Sequence, residues 1–152
     1  MIVYRIARTG YATDLTGEGA RLFGGRWNHK NTPCLYTSQS RALAVLEYTV
    51  NVNTIDIPRA LSIIAFTIPD HSIVTFTMAD LPGDWQHSPA PSSTKDFGTR
   101  LLKESQALVI QIPSVVIPEE CNFLLNPLHP AISEVEVMGI SDYPYDIRIK
   151  LA

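Results

Sequence analysis

The chain has 152 residues, 45% hydrophobic and 18% charged, a balance that suits one globular domain and excludes a disordered or fibrous protein. A net charge of −3 with no block of Lys or Arg argues against nucleic-acid binding. Two cysteines, Cys34 and Cys121, are too few for a disulfide framework. With no leader and no apolar run near the roughly 20 residues of a membrane span, the chain reads as soluble, cytoplasmic and reduced.

Residues 2–6 are β-branched and aromatic and predict a strand. Residues 9–32, rich in Gly, Thr and Asn without sustained period, predict a long irregular loop that Phe23 and Trp27 pack down. A short strand at 34–37 leads into a helix ending near Val50, with Ser38 or Ser40 as N-cap. Leu43, Leu46 and Val50 would mark its apolar face. Segments 60–68 and 73–76 read as strands joined by a Pro-Asp-His turn. An irregular stretch at 81–93 precedes a short helix, capped by Ser93 or Thr94 and ending near Glu104. Strands are predicted at 107–112, 122–125, 135–140 and 147–151. Strands outnumber helices and do not alternate regularly with them. The expected class is therefore α+β, one domain over 1–152 with a mixed β-sheet core and a few helices.

Glu47 lies four residues after Leu43 and three before Val50, on the apolar face of its helix. A buried carboxylate must be paired or protonated; otherwise Glu47 sits at the edge of that face and reaches solvent. In Gly24-Gly-Arg-Trp-Asn28, two glycines permit close backbone approach. The planar fork of Arg26 suits a pyrophosphate, or it stacks on Trp27 in a surface turn. The run Gly17-Glu-Gly-Ala-Arg-Leu22 begins like a dinucleotide fingerprint but puts leucine at the third glycine, so a Rossmann site is set aside. Ser114 follows a buried strand, where its hydroxyl can hold a ligand or cap backbone. It lies outside any G-x-S-x-G elbow, so no hydrolase triad is expected. Asn122 and Asn126 occupy a polar stretch and can bond backbone or ligand. Four scattered histidines give no zinc spacing, and no metal site is expected.

Taken together, G-G-R-W-N at 24–28, P-C-L-Y-T-S at 33–38 and A-L-A-V-L-E at 42–47 resemble the RES domain, named for its arginine, glutamate and serine. L-P-x-x-W at 81–85, P-S-V-V-I-P-E-E at 113–120 and N-F-L-L-N-P-L-H-P at 122–130 continue the resemblance over nearly the whole chain. The resemblance implies a fold similar to ADP-ribosyltransferase toxins and a bacterial toxin of a toxin–antitoxin pair. It implies that NAD is degraded by hydrolysis or by phosphorolysis with inorganic phosphate as co-substrate, with no cofactor beyond that substrate. Transfer of ADP-ribose to a protein is the alternative activity, and a non-catalytic nucleotide- or antitoxin-binding module the alternative role. The implied partner is an Xre-type helix-turn-helix antitoxin that covers the active site.

Carried over by motif, the family arginine is Arg26, the glutamate Glu47 and the serine Ser114, with Tyr36 as the matching tyrosine. Glu47 would face the ribose, Arg26 hold the pyrophosphate and Tyr36 stack on nicotinamide or ribose. Ser114 would bind the substrate or orient Glu47. Arg5, Trp27, Asn122 and Asn126 fall in matching segments as further nucleotide contacts. Cys121 stands where relatives are expected to carry arginine or another polar residue, so that side chain has no assigned role.

Overall fold

The computed structural model describes residues 1–104 and 106–150. The β-branched and aromatic runs form β1 (Ile2–Arg8), β2 (Leu35–Ser38), β3 (Leu61–Thr67), β4 (Ile73–Thr75), β5 (Val109–Pro113), β6 (Cys121–Leu125) and β7 (Glu136–Asp142). These strands make one sheet in the order β4-β5-β6-β2-β1-β3-β7. All neighbours are antiparallel except β4 and β5, so the sheet is mixed. Among the described residues three α-helices accompany it: α1 (Glu18–Phe23), α2 (Arg41–Asn51) and α3 (Ser92–Glu104). The expected single-domain α+β architecture is therefore what forms. No helix among the described residues is long and apolar enough to cross a membrane.

Strand side chains alternate between the two faces. One face buries Val3, Ala7, Leu35, Ile64, Phe66, Val109, Phe123 and Leu125 together. The other gathers Tyr36, Ile110, Ile112 and Leu124 with Trp27, Trp85 and the α3 residues Phe97 and Leu102. Gly98 lets α3 approach closely, because a Cβ there would overlap the Trp27 carbonyl oxygen. Helix and glycine-rich loop thus meet backbone to backbone.

Ser40 caps α2, accepting from the Leu43 N–H at 3.0 Å. The helix docks through Leu43 and Ala44, and the Arg41 guanidinium lies 4.4 Å over the Tyr4 ring of β1. The C-terminal segment straps its far end. The Tyr145 hydroxyl lies 2.6 Å from Thr49 Oγ1, and Lys150 Nζ donates to the Thr49 carbonyl. The expected apolar face is only partly correct: Leu43 is buried, but Val50 is 56% exposed. Thr49 is buried in its place, its hydroxyl satisfied by the Val45 carbonyl at 2.7 Å.

Three local expectations are corrected. The 9–32 stretch contains a helix, α1, whose N-cap is Gly17 at φ 68° with no side-chain cap to announce it. The two strands at 60–68 and 73–76 form as expected, joined by a turn over Asp70–Ser72, and take distant places in the sheet: β3 lies between β1 and β7, whereas β4 joins β5 at the opposite edge. Ser93 does not cap α3; it lies within the helix, which starts at Ser92, and donates to Asp84 Oδ1 at 2.5 Å. Residues 147–149 form a 3-10 turn rather than a strand, with Asp146 accepting from the Arg148 N–H at 3.0 Å; Leu151 lies outside the described residues.

Candidate functional site

Helix α2 carries Glu47 over the end of the sheet where β5 stops and β6 begins. Ser114, the first residue after β5, is wholly buried. Its oxygen accepts from the Val116 and Ile117 N–H groups at 3.0 and 3.1 Å. Those two bonds fill the hydroxyl's acceptor capacity and direct its proton outward. That proton goes to Glu47 Oε1, 2.6 Å away. Ser114 is therefore both a backbone cap and an orienter of Glu47.

Asn122 of β6 donates from Nδ2 to the same Oε1, also at 2.6 Å. Its own Oδ1 accepts from the Ser38 hydroxyl at 2.7 Å. Oε2 of Glu47 accepts no hydrogen bond from the described residues. The half-buried carboxylate thus has one oxygen fixed and one open. Such an oxygen can accept from a sugar hydroxyl or face a developing cation.

Arg26 lies close enough to this carboxylate for their charges to interact. Partial burial lowers its pKa, and the charges of Glu47 and Tyr36 oppose that effect. The arginine stays protonated, and no ion pair joins it to Glu47 within 4 Å among the described residues. Instead, Nη1 donates to the Trp85 and His87 carbonyls at 3.0 and 2.7 Å, and Nη2 to Ser88 Oγ at 3.3 Å. Two of its five N–H groups remain for an anion. Arg26 does not stack on Trp27 as a surface turn would have it; it ties the glycine-rich loop to the 85–88 segment.

The loop that presents Arg26 is built around Asn28, which is wholly buried. Asn28 Nδ2 donates to the carbonyls of Ala20 and Thr32 at 2.8 and 3.0 Å. Its Oδ1 accepts from the Tyr36 hydroxyl at 2.5 Å, while that hydroxyl accepts from the Trp27 N–H at 3.0 Å. Burial pushes the Tyr36 phenol well above its usual pKa. A Cβ on Gly25 would lie 2.6 Å from the Tyr36 hydroxyl, so only glycine fits there. Tyr36 thus anchors the loop with its polar end, and only its ring remains to meet a ligand.

The remaining candidates do not join the cluster. Trp27 is 4% exposed and packs edge-on against Phe97, with ring centroids 5.9 Å apart. Asn126 is wholly buried, donating to the Leu102 carbonyl at 2.9 Å and accepting from the Leu128 N–H at 3.1 Å. Core packing and backbone bonding account for both, and neither offers surface to a nucleotide. Arg5 alternates with Tyr4, which pairs with Ser38, so it faces the other side of the sheet from Glu47. There it donates to the Asp14 carbonyl at 3.0 Å. Asn28 and Ser38 are the contributors that motif reading did not single out. Cys121 accepts a 3.4 Å contact from Gln111 Nε2 and takes no part in the Glu47 network. Concavities lined by Phe76, Leu101 and Ile110, or by Arg59, Asp142 and Tyr143, share no residue with this cluster. Chemistry rather than depth marks the site.

The RES domain model matches residues 2–148. A protein of Sphingobium sp. (strain YBL2) named Prs ADP-ribosylating toxin is 34% identical over 146 residues, covering 94% of this chain and 91% of its own. A protein of Yersinia enterocolitica named Toxin Res is 35% identical over 155 residues, covering 99% of this chain and all of its own. Among solved structures, a chain of the M. tuberculosis MbcT-MbcA toxin-antitoxin complex superposes with a TM-score of 0.74 at 18% identity. That match covers 93% of this chain and 83% of the other and bears on the fold alone. With the domain model spanning nearly every residue and relatives above 30% identity over 91% or more of their length, the chain belongs to the RES domain family.

Proposed function

We propose that the protein is the toxin of a toxin–antitoxin pair and an enzyme that breaks the nicotinamide–ribose bond of NAD. The observation that carries this reading is Glu47, with Oε1 held by Ser114 and Asn122, Oε2 open, and the Arg26 charge within electrostatic reach. When the bond breaks, its electron pair leaves with nicotinamide and the ribose carbon takes on oxocarbenium character. A fixed carboxylate beside that carbon favours the transition state over the ground state. Arg26 would use its two uncommitted N–H groups on the pyrophosphate, and the Tyr36 ring would flank the nicotinamide riboside. Water as acceptor completes a hydrolysis, and inorganic phosphate a phosphorolysis. The name of the Sphingobium relative favours a second reading, transfer of ADP-ribose to a protein side chain. The partner in this reading is an Xre-type antitoxin that covers Glu47, and the compartment is the cytoplasm.

The test is nicotinamide release from NAD by purified, antitoxin-free protein, with and without phosphate. Product analysis then separates ADP-ribose from its phosphorylated form. Adenylate-labelled NAD added to a lysate reports protein modification. Glu47→Gln keeps the shape and the acceptor at Oε1, so it should fold normally yet lose about 10²–10³ in rate. A wild type that releases no nicotinamide and labels no protein would reduce the chain to a binding module.

A further inference from the structure

We infer that Ser38 and Asn122 are positioning residues that decide which oxygen of Glu47 meets the substrate. The kinetic part of this inference rests on the NAD-cleaving reading above. Ser38 ends β2 and sits directly opposite Asn122 of β6 in the antiparallel ladder. Their side chains therefore share one face at a spacing the backbone fixes. Ser38 is 3% exposed and touches no open surface.

An asparagine amide fits its space in two orientations related by a flip. Ser38 alone does not choose between them, because a hydroxyl both donates and accepts. Glu47 Oε1, 2.6 Å from Asn122, does choose. A carboxylate oxygen attracts the NH2 end and repels the carbonyl end. Oδ1 is then turned toward Ser38, whose hydroxyl must donate to it, at 2.7 Å. The chain of donors runs in one direction, from Ser38 through Asn122 to Oε1, where the Ser114 proton also arrives. Both donors come from the sheet end rather than from α2. They therefore fix the carboxylate against the sheet, whatever small movement the helix makes. Saturating Oε1 leaves Oε2 as the oxygen available to the ribose. Losing Ser38 frees the Asn122 amide to rotate, and Oε1 keeps one firm donor.

The test compares nicotinamide release by wild type, Ser38→Ala, Asn122→Ala and the double variant. Asn122→Ala removes a charge-assisted bond, so kcat should fall about 10- to 100-fold with KM within about twofold. Ser38→Ala should lower kcat by about threefold to tenfold. The double variant should match Asn122→Ala, because Ser38 acts only through Asn122. Losses that multiply, or a raised KM with unchanged kcat, would overturn the relay and place Asn122 on the substrate. A second measurement is independent of substrate: the side-chain amide resonances of Asn122 by NMR. They should move in both Glu47→Gln and Ser38→Ala; a Ser38→Ala spectrum unchanged there overturns the relay. If the resonances move but wild type releases no nicotinamide, the relay stands and the NAD reading alone fails. Should Asn122→Ala not fold, Ser38→Ala and its spectrum carry the decision.

Discussion

The hydroxyl of Ser114 serves three partners at once: it donates to Glu47 Oε1 at 2.6 Å and accepts from the N–H groups of Val116 and Ile117. Stability and chemistry therefore meet in one atom. Ser114→Ala leaves two N–H groups without their acceptor and Glu47 with one donor fewer. An unsatisfied buried donor costs about 1–3 kcal/mol. Ser114→Ala should unfold at lower urea with unchanged slope, a loss of about 2–4 kcal/mol. Its nicotinamide release should also fall by about tenfold. Wild-type stability with lost activity would mean that the turn after β5 finds other acceptors.

Gly98 and Gly19 make a contrasting pair. A Cβ at Gly98 would overlap the Trp27 carbonyl oxygen, whereas one at Gly19 meets nothing within 4 Å. Gly98→Ala must push α3 off the glycine-rich loop, so it should destabilise by about 3 kcal/mol or more. Gly19→Ala sits in the exposed α1 and should stabilise by about 0.5–1 kcal/mol. Thermal melts of the two variants measure both signs. Equal melting temperatures would show that α3 does not depend on that close approach.

Local patterns made much of this arrangement legible. β1, α2 with its Ser40 cap, and β5 ending at Pro113 follow from β-branched runs, an Ala/Leu run and proline. Glu47 stood out because a carboxylate broke an apolar face. What stayed hidden depends on pairing across the chain. Ser38 and Asn122 are 84 residues apart and meet only because β2 lies beside β6. The parallel seat of β4 beside β5 has no local signature. Arg26 was read for its fork, but the carbonyls that fill part of it come from residues 59 and 61 positions away. Asn28 closes the G-G-R-W-N motif with no local sign of its role, which is that of the wholly buried hub of the loop. Trp27, Asn126 and Arg5 fall in matching segments, and packing and backbone bonds engage them away from Glu47. A motif marks such residues without separating them from ligand contacts.

Tyr36 tests the distinction between anchoring and stacking. Its hydroxyl joins the Trp27 N–H to Asn28 Oδ1, at 3.0 and 2.5 Å. Tyr36→Phe keeps the ring and removes both bonds, at a cost of about 1–3 kcal/mol. If the ring alone serves the substrate, kcat falls only as far as the Arg26 loop loosens. Limited proteolysis should then show faster cleavage within residues 20–32 in Tyr36→Phe than in wild type. Unchanged proteolysis with a large loss of kcat would instead put the hydroxyl itself in the chemistry.

Alkaline pH reaches the same region from another direction. Cys34 is buried, and burial pushes its thiol well above the ordinary value of 9.0. Burial likewise holds the Tyr36 phenol above its ordinary 10.0. Both groups stay protonated in the folded chain at pH values where the unfolded chain ionises them. A folded pKa raised above the unfolded one gives stability that is complete below the unfolded value and declines as pH rises past it. Stability should therefore hold up to about pH 9, then fall by about a factor of ten in the folding equilibrium per pH unit as Cys34 comes into play. Tyr36 adds to that slope above about pH 10. Urea unfolding followed by the fluorescence of Trp27 and Trp85, both buried, gives the curve. Cys34→Ala should remove the decline between about pH 9 and 10 and leave above it only the shallower decline due to Tyr36. An unchanged slope in that variant would mean that the thiol ionises as readily in the folded chain as in the unfolded one, against its burial beneath the glycine-rich loop.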